Sequence, residues 1–345
     1  MTVRVLGDGD VERLITMSES VEVMAEACRR HAAGTQTAPA RLAAPLEWGQ
    51  LVFTAGAYTD PTGGRIGFRV YDMAHFGSAE RDELVAVFDT TDGSLVGLVT
   101  GSALGPLRTG AIGGVAVDTL ARPDAETLGL VGTGKQARTQ LQAACAVRRF
   151  TRIRAFSRTE ERRREFCREM SGTVGVDIEP ADSAQQAVSD ADVVICSTVS
   201  DGPVLEAAWI EAGTHVQNVG PKFRDSSELP SALYERANVL VTDAPAQLAD
   251  YGDGFLVAGT PDAERVVSLG EVISGDAEGR TGDDQVTLFC SLGLAGTEVA
   301  LADRLLELAA AYPGRPRHRD HPAAATVSAR CPASRLPTTR ELTPG

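Results

Sequence analysis

The sequence predicts an α/β fold, in which a doubly wound parallel sheet follows a smaller α+β part. Three observations predict it. From residue 127 onward short apolar runs alternate with helical stretches, the texture of βαβ units. TLGLVGTGKQARTQ (127–140) sets a glycine turn directly between such a run and a helix. Residues 51–101 read instead as neighbouring strands with a turn signal between two of them.

Taken in order, SESVEVMAEACRRHAAG (18–34) has apolar residues at 21, 23, 24, 27 and 28. It reads as an amphipathic helix that Ser18 or Ser20 can cap and Gly34 can end. Strand patterns cover 51–57 and 66–71. In RIGFRVYD (65–72), Ile66, Phe68 and Val70 alternate with Gly67, Arg69 and Tyr71. That predicts a greasy face and an opposite face with a single arginine, which the alternation alone leaves open to water or to a ligand. LVAVFDTTDGSLVGLVTG (84–101) is a hairpin about TTDG, and LRTGAIGGVAVDTLA (107–121) a largely buried helix of small residues. Strands follow at 128–131, 153–156, 174–178, 191–198, 214–220 and 237–243, with a very polar helix at 160–170.

The 345 residues carry a formal charge of −14, which argues against a nucleic acid or an anionic membrane as partner. No apolar run approaches the roughly 18 residues of a spanning helix. MTVRVLGDGDVERL lacks the basic and apolar regions of a signal peptide. The six cysteines form no CxxC or CxxH spacing and the five histidines no HExxH, so no metal is expected. Scattered single cysteines read as buried thiols in a reducing compartment, hence a cytoplasmic protein. From Pro313 the chain holds six of its 17 prolines, and six arginines against two acids. It reads there as a disordered tail, 313–345.

The sharpest motif is Gly132-x-Gly134-x-x-Ala137. Gly132 permits a tight turn, Gly134 lets the backbone approach a pyrophosphate, and Ala137 lets the helix pack close to the sheet. The helix N-terminus then offers free N–H groups to phosphate. NAD enzymes place an acid after the second strand. Here Ser157, Arg158 and Thr159 stand there, which favours NADP(H) over NAD(H). The alternative is that Arg158 and Arg162, Arg163 and Arg164 are a solvated helix face.

LRTGA (107–111), LARPDAETLGLVGTGKQARTQL, ADVVICST, GTHVQNVG and VTLFCSLGLAGTEVA (286–300) together resemble the ornithine cyclodeaminase/μ-crystallin family over roughly residues 10–310. The resemblance implies a Rossmann dinucleotide-binding domain (122–287) inserted between two parts of a smaller α+β substrate and dimerisation domain, 1–121 and a returning helix at 288–312. It also implies a homodimer. The implied activity is an NAD(P)H-dependent oxidoreductase exchanging hydride at the Cα–N carbon of an α-amino or α-imino acid. Alternatives are a cyclodeaminase releasing ammonia from ornithine, and a non-catalytic nucleotide-binding protein like μ-crystallin.

Residue by residue, the resemblance makes Arg41 and Arg108 the carboxylate-binding arginines. Their planar forks suit that task. Thr109, Thr133, Gln136, Thr198, Gly220, Ser291 and Leu292 join the glycine turn as cofactor-binding residues. Two positions depart from the family pattern. Arg69 stands where relatives carry a lysine, and an arginine binds anions but does not shuttle protons. Lys222 stands where cyclodeaminases carry an aspartate. It is expected to exchange the proton, its pKa lowered by Arg69 and Arg108, with Asp225 as the alternative carrier. The two extra cations imply a substrate more anionic than ornithine.

Overall fold

The computed structural model describes residues 3–60, 63–73, 82–251 and 254–311. The expected tail at 313–345 lies outside them. The chain enters through β1 (Arg4–Leu6) and α1 (Asp8–Leu14). The long helix α2 (Met17–Ala32) starts at Thr16, whose hydroxyl accepts from Glu19 N at 3.2 Å while the Glu19 carboxylate accepts from Thr16 N at 2.8 Å. This reciprocal cap overrides Ser18 and Ser20, which lie inside the helix; Ser20 is buried. Gly34 follows the helix end at φ +72°.

The first sheet comprises β1, β2 (Gln36–Thr37), β3 (Leu42–Leu46), β4 (Gly49–Asp60), β5 (Gly63–Asp72), β6 (Glu83–Asp89) and β7 (Leu95–Gly101). Its order is β1-β7-β6-β5-β4-β2, with β3 paired to β4. The hairpin about TTDG is β6–β7. The faces of β5 are the reverse of a simple hydrophobic-in pattern. Ile66 is 50% exposed and Phe68 and Val70 are not the inward set, whereas Arg69 and Tyr71 are buried. The reason is what lies inside: a Cβ at Gly67 would come within 3.1 Å of Val299 in the last helix, and one at Gly97 would overlap Leu306.

Helix α3 (Leu104–Leu120) then leads to the second sheet. Its elements are β8 (Thr127–Val131), α4 (Lys135–Val147), β9 (Arg152–Phe156), α5 (Glu160–Val174), β10 (Ile178–Pro180), α6 (Ala184–Val188), β11 (Val193–Cys196) and β12 (His215–Asn218). A small antiparallel pair follows, β13 (Lys222–Phe223) and β14 (Ser226–Ser227). After it come α7 (Ser231–Arg236), β15 (Val239–Thr242), α8 (Ala246–Tyr251), β16 (Val266–Ser268), α9 (Leu269–Ser274), β17 (Thr287–Cys290) and α10 (Thr297–Ala311).

The second sheet is parallel throughout, ordered β10-β9-β8-β11-β12-β17-β15-β16. The strand order reverses between β8 and β11, the switch point where such sheets bind ligands. β17 lies between β12 and β15, so residues 288–290 belong to this sheet. The return to the first sheet expected from 288 therefore begins after Cys290. The small residues of α3 serve contact with α4: a Cβ at Gly110 would lie 2.6 Å from Thr139, and one at Gly114 3.0 Å from Ala143.

Candidate functional site

The glycine turn sits at the switch point. Gly132 has φ +111°, and a Cβ there would overlap the Ser197 carbonyl. Gly134 caps α4 without a side-chain bond, and nothing lies within 4 Å of where its Cβ would be. Ala137 is fully buried. The 13-residue helix thus presents uncapped N–H groups to open space, which fits a pyrophosphate. Thr133 Oγ1 donates to Ser157 Oγ at 3.0 Å. Arg158 and Thr159 are exposed, and Thr159 leaves the first turn of α5 uncapped by its side chain. Arg163 does not belong to a solvated face: it is 6% exposed and donates to the Ser157 carbonyl at 2.8 Å. Nearby, Thr109 Oγ1 donates to Gly105 O at 2.9 Å, and the Gln136 Oε1 atom is buried without a partner.

One buried carboxylate ties two strand ends together. Glu228 accepts from Thr198 N and Thr198 Oγ1, each at 2.8 Å, and from Gly220 N at 2.5 Å. Burial raises the Glu228 pKa above the carboxylate norm, against the pull of these bonds and of Lys222. Lys222 is itself buried, and its Nζ donates to Gly220 O at 2.6 Å. Its pKa is lowered, first by burial; Cys290, Glu228 and Asp243 oppose this and Arg41 adds to it. Burial rather than Arg69 and Arg108 is therefore the main cause. Asp225 is exposed, in the turn joining β13 to β14, and the fold does not bring it into this buried group.

At the end of β15, Asp243 accepts from the N–H groups of Leu292, Gly293 and Leu294 at 2.7, 2.8 and 3.1 Å. Ser291, next to them, donates its N–H to Asn218 O at 3.0 Å. The same loop meets the arginines. Arg41 Nη2 donates to the carbonyls of Leu292 at 2.6 Å and Gly293 at 3.1 Å. Gly293 has φ +85°, and a Cβ there would lie 2.6 Å from Arg41 Nη2 and 2.8 Å from Arg108 Nη1. The two guanidinium groups converge on one point. Arg41 Nε, Arg108 Nε and Arg108 Nη1 are buried without a partner. Orphaned buried donors of this kind call for an acceptor.

Arg69 is placed differently. Its Nε donates to Glu83 at 2.8 Å, its Nη2 also binds Glu83, and its Nη1 donates to Glu298 at 3.2 Å. Its guanidinium lies over the Tyr71 ring, 4.3 Å from the centroid. Burial opposes its charge, but Glu83, Glu298 and Tyr71 more than offset that and raise its pKa. Glu83 and Glu228 thus match the two cations from which a more anionic substrate is expected. The sequence reading missed Glu83, Glu298, Glu228 and Asp243. A signal existed: Glu298 in GLAGTEVALA and Asp243 in ANVLVTD are lone acids in apolar runs.

Among the described residues, no group of three or more His, Cys, Asp or Glu could hold a metal ion, and no helix is long and apolar enough to cross a membrane. The first sheet with its helices is an N-terminal α+β part, and the parallel sheet with its glycine turn is a Rossmann-like fold of the kind typical of dinucleotide-binding domains. The chain belongs to the ornithine cyclodeaminase/mu-crystallin family, whose sequence model matches residues 2–311. It is 30% identical to a Delta(1)-pyrroline-2-carboxylate reductase of Bacillus cereus over 317 residues, covering 88% of this chain and 96% of that protein. It is also 30% identical to alanine dehydrogenase of Archaeoglobus fulgidus, covering 89% and 95%. The structure of Thermococcus litoralis Delta(1)-pyrroline-2-carboxylate reductase in complex with NADH and L-proline superimposes with a TM-score of 0.79 at 27% identity, covering 90% of this chain and 98% of that one.

Proposed function

We propose that this protein is an NAD(P)H-dependent oxidoreductase that exchanges hydride at the Cα–N carbon of an α-imino or α-amino acid. The observation that carries the reading is the convergence of Arg41 and Arg108 at Gly293 with unpaired, buried N–H groups. A substrate carboxylate satisfies those donors with charge-assisted bonds. The names of the relatives given above, a pyrroline-carboxylate reductase and an alanine dehydrogenase, support the same class.

Gly132, Gly134 and the α4 N-terminus, with Thr133, Gln136 and Ala137, would hold the pyrophosphate; Thr109, Thr198, Gly220, Ser291 and Leu292 are assigned to the rest of the cofactor. The bound nicotinamide supplies or accepts the hydride. The chain's own task in reduction is to fix the carboxylate, exclude water and deliver one proton to the imine nitrogen, so that C=N becomes CH–NH. Lys222 is assigned the proton: buried, with a lowered pKa, it loses it more readily than a surface lysine. Ser157, the exposed Arg158 and Thr159 form a polar, cationic end suited to a 2′-phosphate, so NADP(H) is favoured.

A homodimer is part of the reading. The outer face of the first sheet sets Phe53 opposite Val70 and Val70 opposite Leu84, with Phe68 and Ile66 in adjoining rows. An apolar face of this extent fits burial against a second copy. A cytoplasmic location accords with the free thiols among the described residues.

The direct test is oxidation of NADPH or NADH by the purified chain with Δ1-pyrroline-2-carboxylate or Δ1-piperideine-2-carboxylate, followed by absorbance. Turnover with stoichiometric cyclic amino acid is expected. Ammonia release from ornithine without net cofactor change would instead make it a cyclodeaminase. Tight cofactor binding with no turnover on any imino acid would make it a binding protein.

A further inference from the structure

Arg69, Glu83, Glu298, Arg108 and Gly105 form a closed ring. Glu83, on β6, binds Arg69 on β5 through Nε at 2.8 Å and through Nη2. Arg69 Nη1 donates to Glu298 Oε1, on α10, at 3.2 Å. The same oxygen accepts from Arg108 Nη2, on α3, at 2.8 Å. One turn earlier on α3, Gly105 N donates back to Glu83 Oε1 at 2.6 Å. The four charged side chains are each no more than 7% exposed.

The ring has a consequence for Arg108. A lone buried carboxylate beside an arginine tends to grip it with both oxygens and take the N–H groups a ligand needs. Here Glu298 Oε1 is shared between two guanidinium groups, and Arg108 keeps Nε and Nη1 unpaired. Arg69 in turn has its Nε and Nη2 both taken by hydrogen bonds to Glu83. Gly105 is the residue that permits the arrangement. A Cβ there would lie 2.7 Å from Arg69 Nη2 and 2.7 and 2.8 Å from the two Glu83 oxygens.

We propose that Glu83 and Gly105 are positioning residues for the substrate-carboxylate site, acting through Arg69 and Glu298 to hold Arg108 with its free N–H edge facing Gly293. The proposal rests on the carboxylate role given to Arg108 above. It assigns Arg69 to the frame of the site and not to direct substrate contact.

The test uses the full chain saturated with NADPH and titrated with L-proline or pyrrole-2-carboxylate, five-membered rings that each bear one carboxylate. Binding is read by calorimetry, so no turnover is required. The variants are Glu83→Gln, which removes one charge of the ring, and Gly105→Ala, which changes no charge and would otherwise favour the helix. Each is expected to weaken carboxylate binding by about tenfold or more while NADPH affinity stays within about twofold, because neither substitution removes the Gly105 carbonyl that holds Thr109 Oγ1. The double variant should bind about as weakly as either single one, because a ring once opened cannot be opened again. Thermal melts show which variants fold; Gly105→Ala decides the matter where Glu83→Gln does not fold. Unchanged carboxylate binding in a folded variant, or strictly additive losses, would overturn the proposal while leaving the functional reading intact. A wild-type chain that binds NADPH but neither ring compound would bring down both.

Discussion

Arg108 Nη2 and Glu298 Oε1 stand 2.8 Å apart, both buried, and the same guanidinium keeps its Nε and Nη1 without partners. The ion pair anchors the arginine and leaves its other edge for a ligand. Arg108→Lys keeps the charge and loses the fork. Its KM for an α-imino acid is expected to rise about ten- to a hundredfold, with cofactor affinity unchanged, as a point charge replaces a bidentate donor. An unaltered KM in steady-state kinetics would remove Arg108 from the carboxylate site.

Lys222 should set the basic limb of the reductive reaction. Its folded pKa is lowered by burial, so the amine loses its proton at a pH below that of a free lysine. The rate is expected to fall as pH rises through that lowered value. Lys222→Met should cost about 10²–10⁴ in kcat and abolish the limb, the range for a positioned acid. Persistence of the same limb in the variant would mean another group delivers the proton.

Cofactor choice is assigned to the turn after β9. Arg158→Asp sets an acid where a 2′-phosphate would lie and should raise the Kd for NADPH relative to NADH by about ten- to a hundredfold, the effect of exchanging a charge-assisted bond for repulsion. Fluorescence titration with both nucleotides measures it. A ratio that does not move would show that the turn reads no phosphate.

His215 predicts an acid-sensitive core. Its Nδ1 lies 2.8 Å from Thr287 Oγ1, whose own proton goes to Leu120 O at 3.1 Å, so Nδ1 carries the ring proton. Burial, aided by Arg280 and Arg148, lowers its pKa to about 3. The unfolded chain takes up a proton near pH ~6.5 that the folded one refuses. Stability must therefore fall as pH drops from about 6.5 towards about 3, by up to roughly 1.4 kcal/mol per pH unit. Urea melts of His215→Gln should show a shallower decline over that window; identical slopes would refute the assignment.

The outer face of the first sheet is assigned to the contact between protomers. Ile66 is 50% exposed and faces away from the core, so Ile66→Glu should leave the protomer folded. It should also convert a dimer to monomers in sedimentation velocity, since a charge would be buried without a partner. A variant that sediments like the wild type would exclude this face as the contact.

Local rules were enough to read the alternation of strands and helices, the glycine turn and the small-residue helix α3. Caps were harder. Ser18 and Ser20 look as suitable as Thr16 until Glu19 is seen reaching back to the Thr16 N–H. The return expected from 288 falls inside the strand Thr287–Cys290, because four residues carry no signal of which sheet will take them. In β5 the alternation was legible, and which face turns inward was not. That choice was made by α10, more than 200 residues further on.

The parallel sheet and the glycine turn were legible from the chain alone, because each rests on a spacing or a residue type that acts within a few positions; Arg41 and Arg108 stand out only through the resemblance to the family. What Arg69 touches was decided by packing. Its neighbours Glu83, Gly105 and Glu298 come from three other elements, and a guanidinium reads as a ligand group or a frame according to which carboxylates the fold sets beside it. The same holds for Lys222, which stands in a loop-like sequence context and which the packing of β13 makes a buried amine. Charges act over a few ångströms in space, and the chain brings them together only once its sheets and last helix have closed.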